Sequence, residues 1–570
     1  MLHLIFAVLY IRGFAAEDGP HVDTSLGRIS GFYRSSYEGR IFSAFEGIPY
    51  AKPPVGDLRF EAPQPVSPWN DVLNASTQYR CKQAKNPIML FGGKLGTEDC
   101  LYLNVYVPKR QPSESDSYDV IVNIHGGAFM AGDPTLAGPQ FLMDRDVIYV
   151  NMNYRLGILG FLSTEDHAVP GNNGLKDQQL ALKWVQAHIK QFGGNSNSVT
   201  LMGLSAGGVL VHFHYFSAGS KGYFQSFYDM YLDTFSGLFH RGISQSGTAL
   251  MSWAIQENAL QKARKLAVSL NCKDADTKTF INCLKTIPID RLIKQTKDFY
   301  HVAHFPIAPF APVLEVESVS SFITKHPYKQ LEDGEVNNAP WLAWIAKDEG
   351  ISGAMFLTKI LDEVENHWNE WSEHFFDYSH VCPEVSKKEV AQKIKTFYFK
   401  DEKLSKSNIH SLIEVFGDRL FKVGFETAVQ KQVKVAEARV YAGIYGYKAS
   451  VSFKNIIGNE LEGVPHASES ILLHDSKFTT ELLSDVRLSE SDISMKNILV
   501  DFVTSFAKDG KPQSNGVEWK PITVNDPKYM LINGVNNVTM TEIPKLTPIE
   551  FWESLNFMEN SRAERLRDEL

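Results

Sequence analysis

After its first dozen residues, the 570-residue chain has no run approaching the ~18 consecutive apolar residues of a membrane-spanning helix, so no membrane span is expected. The N-terminal run from Leu4 to Ile11 is too short to cross a bilayer. Followed by the small residues Gly13, Ala15 and Ala16, it reads as a secretory signal over residues 1–16. Neither sign of charge dominates: 57 Lys and Arg face 66 Asp and Glu, for a net charge of −9, and the basic residues are scattered, which argues against nucleic acid as a partner. No Pro-rich, Gly/Ser-rich or single-charge linker divides the chain and no fixed-period repeat recurs, so residues 17–570 read as a single domain. Cysteine is scarce, with five in all. In an oxidising compartment most should pair. Spacing suggests Cys81 with Cys100 and Cys272 with Cys283, each closing a short loop worth roughly 3 kcal/mol, and leaves Cys382 over. Four cysteines admit other pairings, so the connectivity stays open on spacing alone. His212-x-His214 and His301-x-x-His304 have metal-like spacing but lack an apparent third ligand; they read as core or surface histidines, and neither a metal nor an organic cofactor is expected.

Two sequons, Asn74-Ala75-Ser76 and Asn537-Val538-Thr539, agree with a lumenal route and make Asn74 and Asn537 candidate glycosylation sites. The last four residues, Arg567-Asp568-Glu569-Leu570, differ from the usual retention tetrapeptide by exchanging one basic residue for another. The endoplasmic reticulum lumen is the expected compartment, with a retention receptor as partner; secretion is the alternative.

Hydrophobic residues make up 44% of the chain, enough for a large core. Short apolar runs recur at Val120–Ile124, Val147–Asn151, Val199–Met202, Gly242–Gln245, Trp341–Ala346, Val440–Tyr445 and Tyr529–Ile532. Several lack polar alternation, as strands covered on both faces do. Between them, Lys176–Gln191 places Leu180, Trp184, Val185 and Ile189 at helical spacing. This order predicts an α/β fold with a large, mainly parallel sheet and helices on both faces. His21 to about Phe60 reads as small antiparallel strands, and two helical, amphipathic stretches, from about Glu257 to His326 and from Ile351 to Lys434, read as insertions capping the sheet.

One strand, Val199–Met202, runs into Gly203-Leu204-Ser205-Ala206-Gly207. Glycine on both sides of a serine suits a tight strand-to-helix turn that leaves the hydroxyl at its apex. A serine hydroxyl needs a base, a group orienting that base, and donors for a developing oxyanion. Val120–Ile124 leads into His125-Gly126-Gly127-Ala128, whose glycines leave backbone N–H groups accessible; Gly127 and Ala128, with Ala206, are the candidate donors. Among seventeen histidines, His466 stands in Gly463-Val464-Pro465-His466, a loop suited to return to the serine. The orienting carboxylate should follow a strand, and Asp348 and Glu349, after Trp341–Ala346, are equally eligible.

The stretch from Phe192-Gly193-Gly194 through Val199–Met202 into the serine turn, and Glu98-Asp99-Cys100-Leu101-Tyr102-Leu103-Asn104-Val105-Tyr106, resemble the two signatures of the type-B carboxylesterase and cholinesterase family. Asn153-Tyr154-Arg155, Gly174-Leu175-Lys176-Asp177-Gln178 and Ser244-Gln245-Ser246-Gly247 are similar to further landmarks of that family, and the likeness covers nearly the whole mature chain, which resembles insect carboxylesterases. The resemblance implies the α/β-hydrolase fold, with Ser205 as nucleophile, Glu349 rather than Asp348 as the acid and His466 as the base. The suggested disulfides match the family pattern, though a third bridge found in some members has no counterpart. Two departures bear on substrate: the loop between Cys81 and Cys100 lacks the tryptophan with which cholinesterases hold a quaternary ammonium, and Leu204 stands where they carry glutamate and juvenile hormone esterases usually carry glutamine. Residues and resemblance together imply a serine carboxylic-ester hydrolase acting through an acyl-enzyme on a small-molecule ester, small to medium and apolar, of xenobiotic, lipid-like or hormone type. The alternative is a catalytically weak member that sequesters or binds esters or insecticides. A further departure is that Ser220-Lys221-Gly222-Tyr223-Phe224-Gln225 and Ser236-Gly237-Leu238-Phe239-His240-Arg241 both resemble one family segment, as though a near-duplicate were inserted.

Overall fold

The structure, a computed structural model, describes residues 19–84, 96–221, 237–273, 276–451, 461–475 and 487–560. The N-terminal signal, the C-terminal tetrapeptide and most of the near-duplicate stretch lie outside these residues.

Each apolar run read from the sequence lies in a strand of one 11-stranded sheet. In chain order the strands are β1 (Phe32–Ser35), β2 (Ile41–Pro49), β3 (Tyr102–Val107), β4 (Tyr118–Ile124), β5 (Val147–Met152), β6 (Gly194–Leu204), β7 (Arg241–Gln245), β8 (Trp341–Ala346), β9 (Val440–Tyr445), β10 (Lys528–Gly534) and β11 (Asn537–Glu542). Their spatial order is β11-β10-β9-β8-β7-β6-β4-β5-β3-β2-β1. From β10 through β5 every neighbouring pair is parallel, and the outer strands at both ends are antiparallel. Every residue of β5 and of β8 is buried, so these strands have no polar side to alternate with. The sheet separates two apolar clusters. One holds Val122, Val209 and Phe425, and the other Met202, Trp344 and Phe502.

The helix predicted over Lys176–Gln191 is observed as α1, Asn173–His188, continued by a 3₁₀ turn at Ile189–Phe192. Around the sheet also lie α2 (Ala206–Phe216), α3 (Ala259–Ser269), α4 (Val423–Val435) and α5 (Glu490–Asp509). The early antiparallel reading is met by the hairpin His21–Thr24 with Gly27–Ser30, but β1 and β2 go further and extend the main sheet at its edge. The first helical insertion is shorter than expected. No helix lies between Tyr300 and His326, because Pro306, Pro309 and Pro312 interrupt the pattern.

The chain on either side of the near-duplicate meets where Leu238 N donates to Ser220 O at 3.0 Å. His212 and His214 spend their rings inside the core: His212 bonds Gln432 at 2.8 Å, and His214 bonds Ser220 at 2.8 Å and Gln178 at 3.2 Å. Cys81–Cys100 and Cys272–Cys283 are disulfides, with Cα atoms 4.9 and 5.7 Å apart, while Cys382 is a buried free thiol. The native protein should therefore resist Ellman's reagent, and unfolding without reductant should release about one thiol per chain. A yield near three thiols would show that one of the bridges is open.

Candidate active site

The end of β6 and the start of α2 bring the chain through a reversal in which Ser205 has φ 60° and ψ −126°. A non-glycine residue held there is strained, and such positions persist only when the surroundings fix them. Here the fixing contacts are hydrogen bonds from Ser205 N to Gln245 O at 2.7 Å and from Val209 N to Ser205 O at 3.0 Å. The glycines of the turn are there for closeness. A Cβ on Gly207 would sit 2.0 Å from Ile124 O, and one on Gly203 would sit 2.4 Å from the Gly207 carbonyl. Strand β4 thus presses directly on the start of α2.

That contact also positions the glycine loop after β4. A Cβ on Gly126 would lie 3.1 Å from Ser205 Cβ. Gly127 and Ala128 turn with φ 116° and 54°. Among the described residues no carbonyl accepts their N–H groups or that of Ala206, while Gly127 O accepts from both Met130 and Ala131 at 3.0 Å. The loop is anchored from beneath by Tyr154, whose hydroxyl donates to His125 O at 2.7 Å.

Glu349 follows β8, and the chain reaches His466 after leaving β9, so both come from the strand ends that point the same way as the end of β6. In open α/β sheets, ligands bind at this carboxyl edge. The imidazole Nδ1 of His466 lies 2.6 Å from Glu349 Oε2, and Glu349 Oε1 accepts from Ala346 N at 2.7 Å. The glutamate is fully buried and the histidine side chain is 15% exposed. Among the described residues Ser205 Oγ forms no hydrogen bond with His466; serine–histidine contacts are often long until substrate is bound.

The neighbouring carboxylates, indistinguishable by sequence pattern, do different things. Asp348 faces the backbone of the histidine loop: its Oδ2 accepts from Val464 N at 2.8 Å and its own N–H donates to Val464 O at 3.0 Å. Glu349 alone meets the imidazole.

Sequence reasoning missed two neighbours of His466. Phe421, in a π-helical turn at Asp418–Lys422, packs its ring 4.7 Å from the imidazole. Phe421 then touches Trp253, at 6.0 Å, and Trp253 touches Phe129 beside the glycine loop, at 5.7 Å. This aromatic chain ties the candidate donor loop to the candidate base. Glu469 is the other, buried three residues after His466, with Oε1 accepting from Trp344 Nε1 at 3.2 Å and Oε2 unpartnered. Burial, and then the charge of Glu349, push its carboxyl up to about 7. His-x-x-Glu on a turn was the available signal, though it is a weak one.

An acid raised in the folded state destabilises the fold once pH exceeds its unfolded value of 4.5, and the penalty grows until pH passes about 7. Glu469→Gln removes that penalty. Its stability relative to the parent should rise by about 3 kcal/mol between pH 4.5 and 7 and stay level above, as read by urea unfolding across pH. A difference that does not change with pH would show that folding leaves the proton affinity of Glu469 unshifted.

The family landmarks prove to be buried supports for this edge. Arg155 grips Asp177 with two bonds of 2.8 and 2.7 Å, and Arg59 grips Glu98 with 2.7 and 2.8 Å. Asn104 Nδ2 donates to Asn151 Oδ1 at 2.8 Å across β3 and β5. Asn74 and Asn537 are both exposed.

A mainly parallel sheet with a serine turn at one strand end and a carboxylate–histidine pair at others defines the α/β-hydrolase class. Within it the chain belongs to the Carboxylesterase family, whose match spans residues 18–552, and it is a carboxylic ester hydrolase. Venom carboxylesterase-6 of Apis mellifera is 36% identical over 574 residues, covering 98% of this chain and 99% of its own. Esterase FE4 of Myzus persicae is 37% identical over 537 residues, covering 92% and 91%. The crystal structure of juvenile hormone esterase from Manduca sexta, with OTFP covalently attached, superposes with a TM-score of 0.79 at 26% identity, covering 95% of this chain and 99% of that one. Among the described residues no helix is long and apolar enough to cross a membrane. The two disulfides fit a protein of the secretory pathway.

Proposed function

We propose that this hydrolase works through an acyl-enzyme on Ser205, with His466 as base and Glu349 as its orienting acid. The observation that carries the reading is the 2.6 Å bond between His466 Nδ1 and a glutamate buried on the edge where the strained serine turn ends. Ser205 Oγ attacks the ester carbonyl carbon and passes its proton to His466 Nε2. The N–H groups of Gly127, Ala128 and Ala206 receive the oxyanion, in a place where each donor is worth about 10²- to 10³-fold in rate. As the tetrahedral species collapses, the ester C–O bond breaks and the alcohol leaves with the proton held by His466. Water then attacks the acyl carbon, giving its proton to the same nitrogen, and the carboxylic acid departs as Ser205 regains its hydrogen.

The apolar ring of Phe421 against the base and those of Trp253 and Phe129 leading from it to the glycine loop, with the absence of a cholinesterase-like tryptophan or glutamate, favour apolar esters of small to medium size over choline esters. An ester panel that varies acyl length and alcohol bulk, with juvenile hormone as one member, tests this. Rapid turnover of apolar aryl and alkyl esters with poor turnover of choline esters is the expected pattern. A stoichiometric burst without turnover would instead identify a sequestering protein.

A further inference from the structure

Trp253, whose ring packs against Phe421, also lines a separate cavity of about 280 Å³ that touches neither Ser205 nor His466. Two opposite charges face this cavity without meeting. Asp377 adopts a left-handed backbone at φ 50°, and its carbonyl accepts from Arg419 at 3.2 Å. Among the described residues its carboxylate accepts no hydrogen bond and joins no ion pair, because Arg419 is already committed to Glu559 through two bonds of 2.8 and 2.7 Å and to Phe376 O at 2.8 Å.

Opposite in charge, Lys262 on α3 donates to Pro309 O at 2.9 Å and to Gln256 Oε1 at 3.4 Å. Both acceptors are neutral, and one ammonium hydrogen is left over. Burial pushes Asp377 up to about 6, against the opposing charges of Arg419 and then Lys262, and pushes Lys262 down to about 8, against those of Asp377 and then Glu165. At neutral pH both therefore keep their charge. Of the other ionisable groups on the wall, Glu559 is held by Arg419, Lys265 donates to Asp298 O at 2.7 Å, burial holds His301, His326, His374 and His380 below the usual histidine range, and Glu257 adds a further carboxylate. Met251, Trp253 and Val381 supply apolar wall.

We propose that this cavity binds a small zwitterion, an amino carboxylate with an apolar side chain, whose carboxylate meets Lys262 and whose ammonium meets Asp377. Two half-buried opposite charges that form no ion pair within contact distance are costly, and a single ligand with both complementary charges satisfies them together. A ligand with one charge would satisfy one and leave the other without a direct ionic partner.

The test is calorimetric titration and saturation-transfer NMR of the full chain at pH 7 with L-leucine, L-leucinamide and N-acetyl-L-leucine. L-leucine should bind, and each single-charge analogue should bind at least about tenfold more weakly, a difference of ~1.4 kcal/mol. Lys262→Met and Asp377→Asn should each weaken L-leucine by a similar factor, with organophosphate labelling of Ser205 unchanged as a measure of folding. Asparagine suits the left-handed position, so the second variant keeps its backbone. No signal from L-leucine at millimolar concentration, or equal binding of either analogue, would overturn the proposal without any variant being needed. Because binding is read apart from hydrolysis, a protein that binds L-leucine but turns over no ester would sink the catalytic reading and leave this one standing.

Discussion

Ser205→Ala should abolish organophosphate incorporation and lower kcat on a short aryl ester by about 10⁶-fold, with little change in thermal stability. The size of the effect comes from the absence of any substitute nucleophile in the proposed steps: without Oγ no acyl-enzyme forms, and only ester binding and the oxyanion donors remain to assist water. The stability expectation rests on the backbone. Ser205 is pinned by its own N–H and carbonyl to Gln245 and Val209, bonds that alanine keeps, and the side chain makes no hydrogen bond among the described residues. Alanine at φ 60° carries the same strain as serine, so the turn should neither relax nor collapse. Mass spectrometry of the labelled protein and active-site titration read the chemistry, while a melting curve reads the fold. Persistent labelling of the variant would put the nucleophile elsewhere. Loss of both labelling and folding would assign Ser205 a structural task instead.

The strands of the sheet centre were legible because they are covered on both faces. Val147–Met152 and Trp341–Ala346 contain no exposed residue, and a mainly apolar run without alternation is the pattern such a strand shows, even where one buried polar residue, Asn151, is satisfied by hydrogen bonds. The edge was harder. β1 pairs with its chain neighbour β2, but the other partner of β2 is β3, Tyr102–Val107, far along the chain and beyond what local alternation encodes. The helical reading overran Tyr300–His326 because apolar spacing was followed past prolines whose missing N–H groups end a helix.

At the site, the serine turn was legible since backbone crowding leaves room for little but glycine at Gly203 and Gly207, a steric demand that shows directly in residue type. The choice between Asp348 and Glu349 was not legible in the local pattern and came only from the family resemblance, since consecutive residues after a strand point in different directions and the course of the returning loop decides which one meets the ring. Phe421 was hidden for another reason. It lies in a helix among other buried aromatics, and nothing in its neighbourhood separates a ring that touches His466 from one that fills the core.

The two carboxylates give the second large prediction, and they supply each other's control. Glu349 uses one oxygen for Ala346 N and the other for His466 Nδ1. In Glu349→Gln only one oxygen remains. If it stays on Ala346 N–H, the amide NH₂ faces Nδ1 and forces the imidazole into the tautomer that carries its hydrogen on Nε2, where it can no longer take the Ser205 proton. If the amide flips to keep Nδ1–H satisfied, its NH₂ meets the Ala346 N–H and two donors are buried face to face, at a cost of about 1–3 kcal/mol. Either way the base is in the wrong state or the loop is strained, and kcat should fall by about 10⁴-fold with KM nearly unchanged. Asp348→Asn meets no such conflict, since its remaining oxygen can still accept from Val464 N, the only side-chain bond it makes among the described residues. That variant should keep kcat within about tenfold of the parent. Equal losses in the two variants would mean that the loop's position, rather than the tautomer and charge of His466, is what the acidic pair provides.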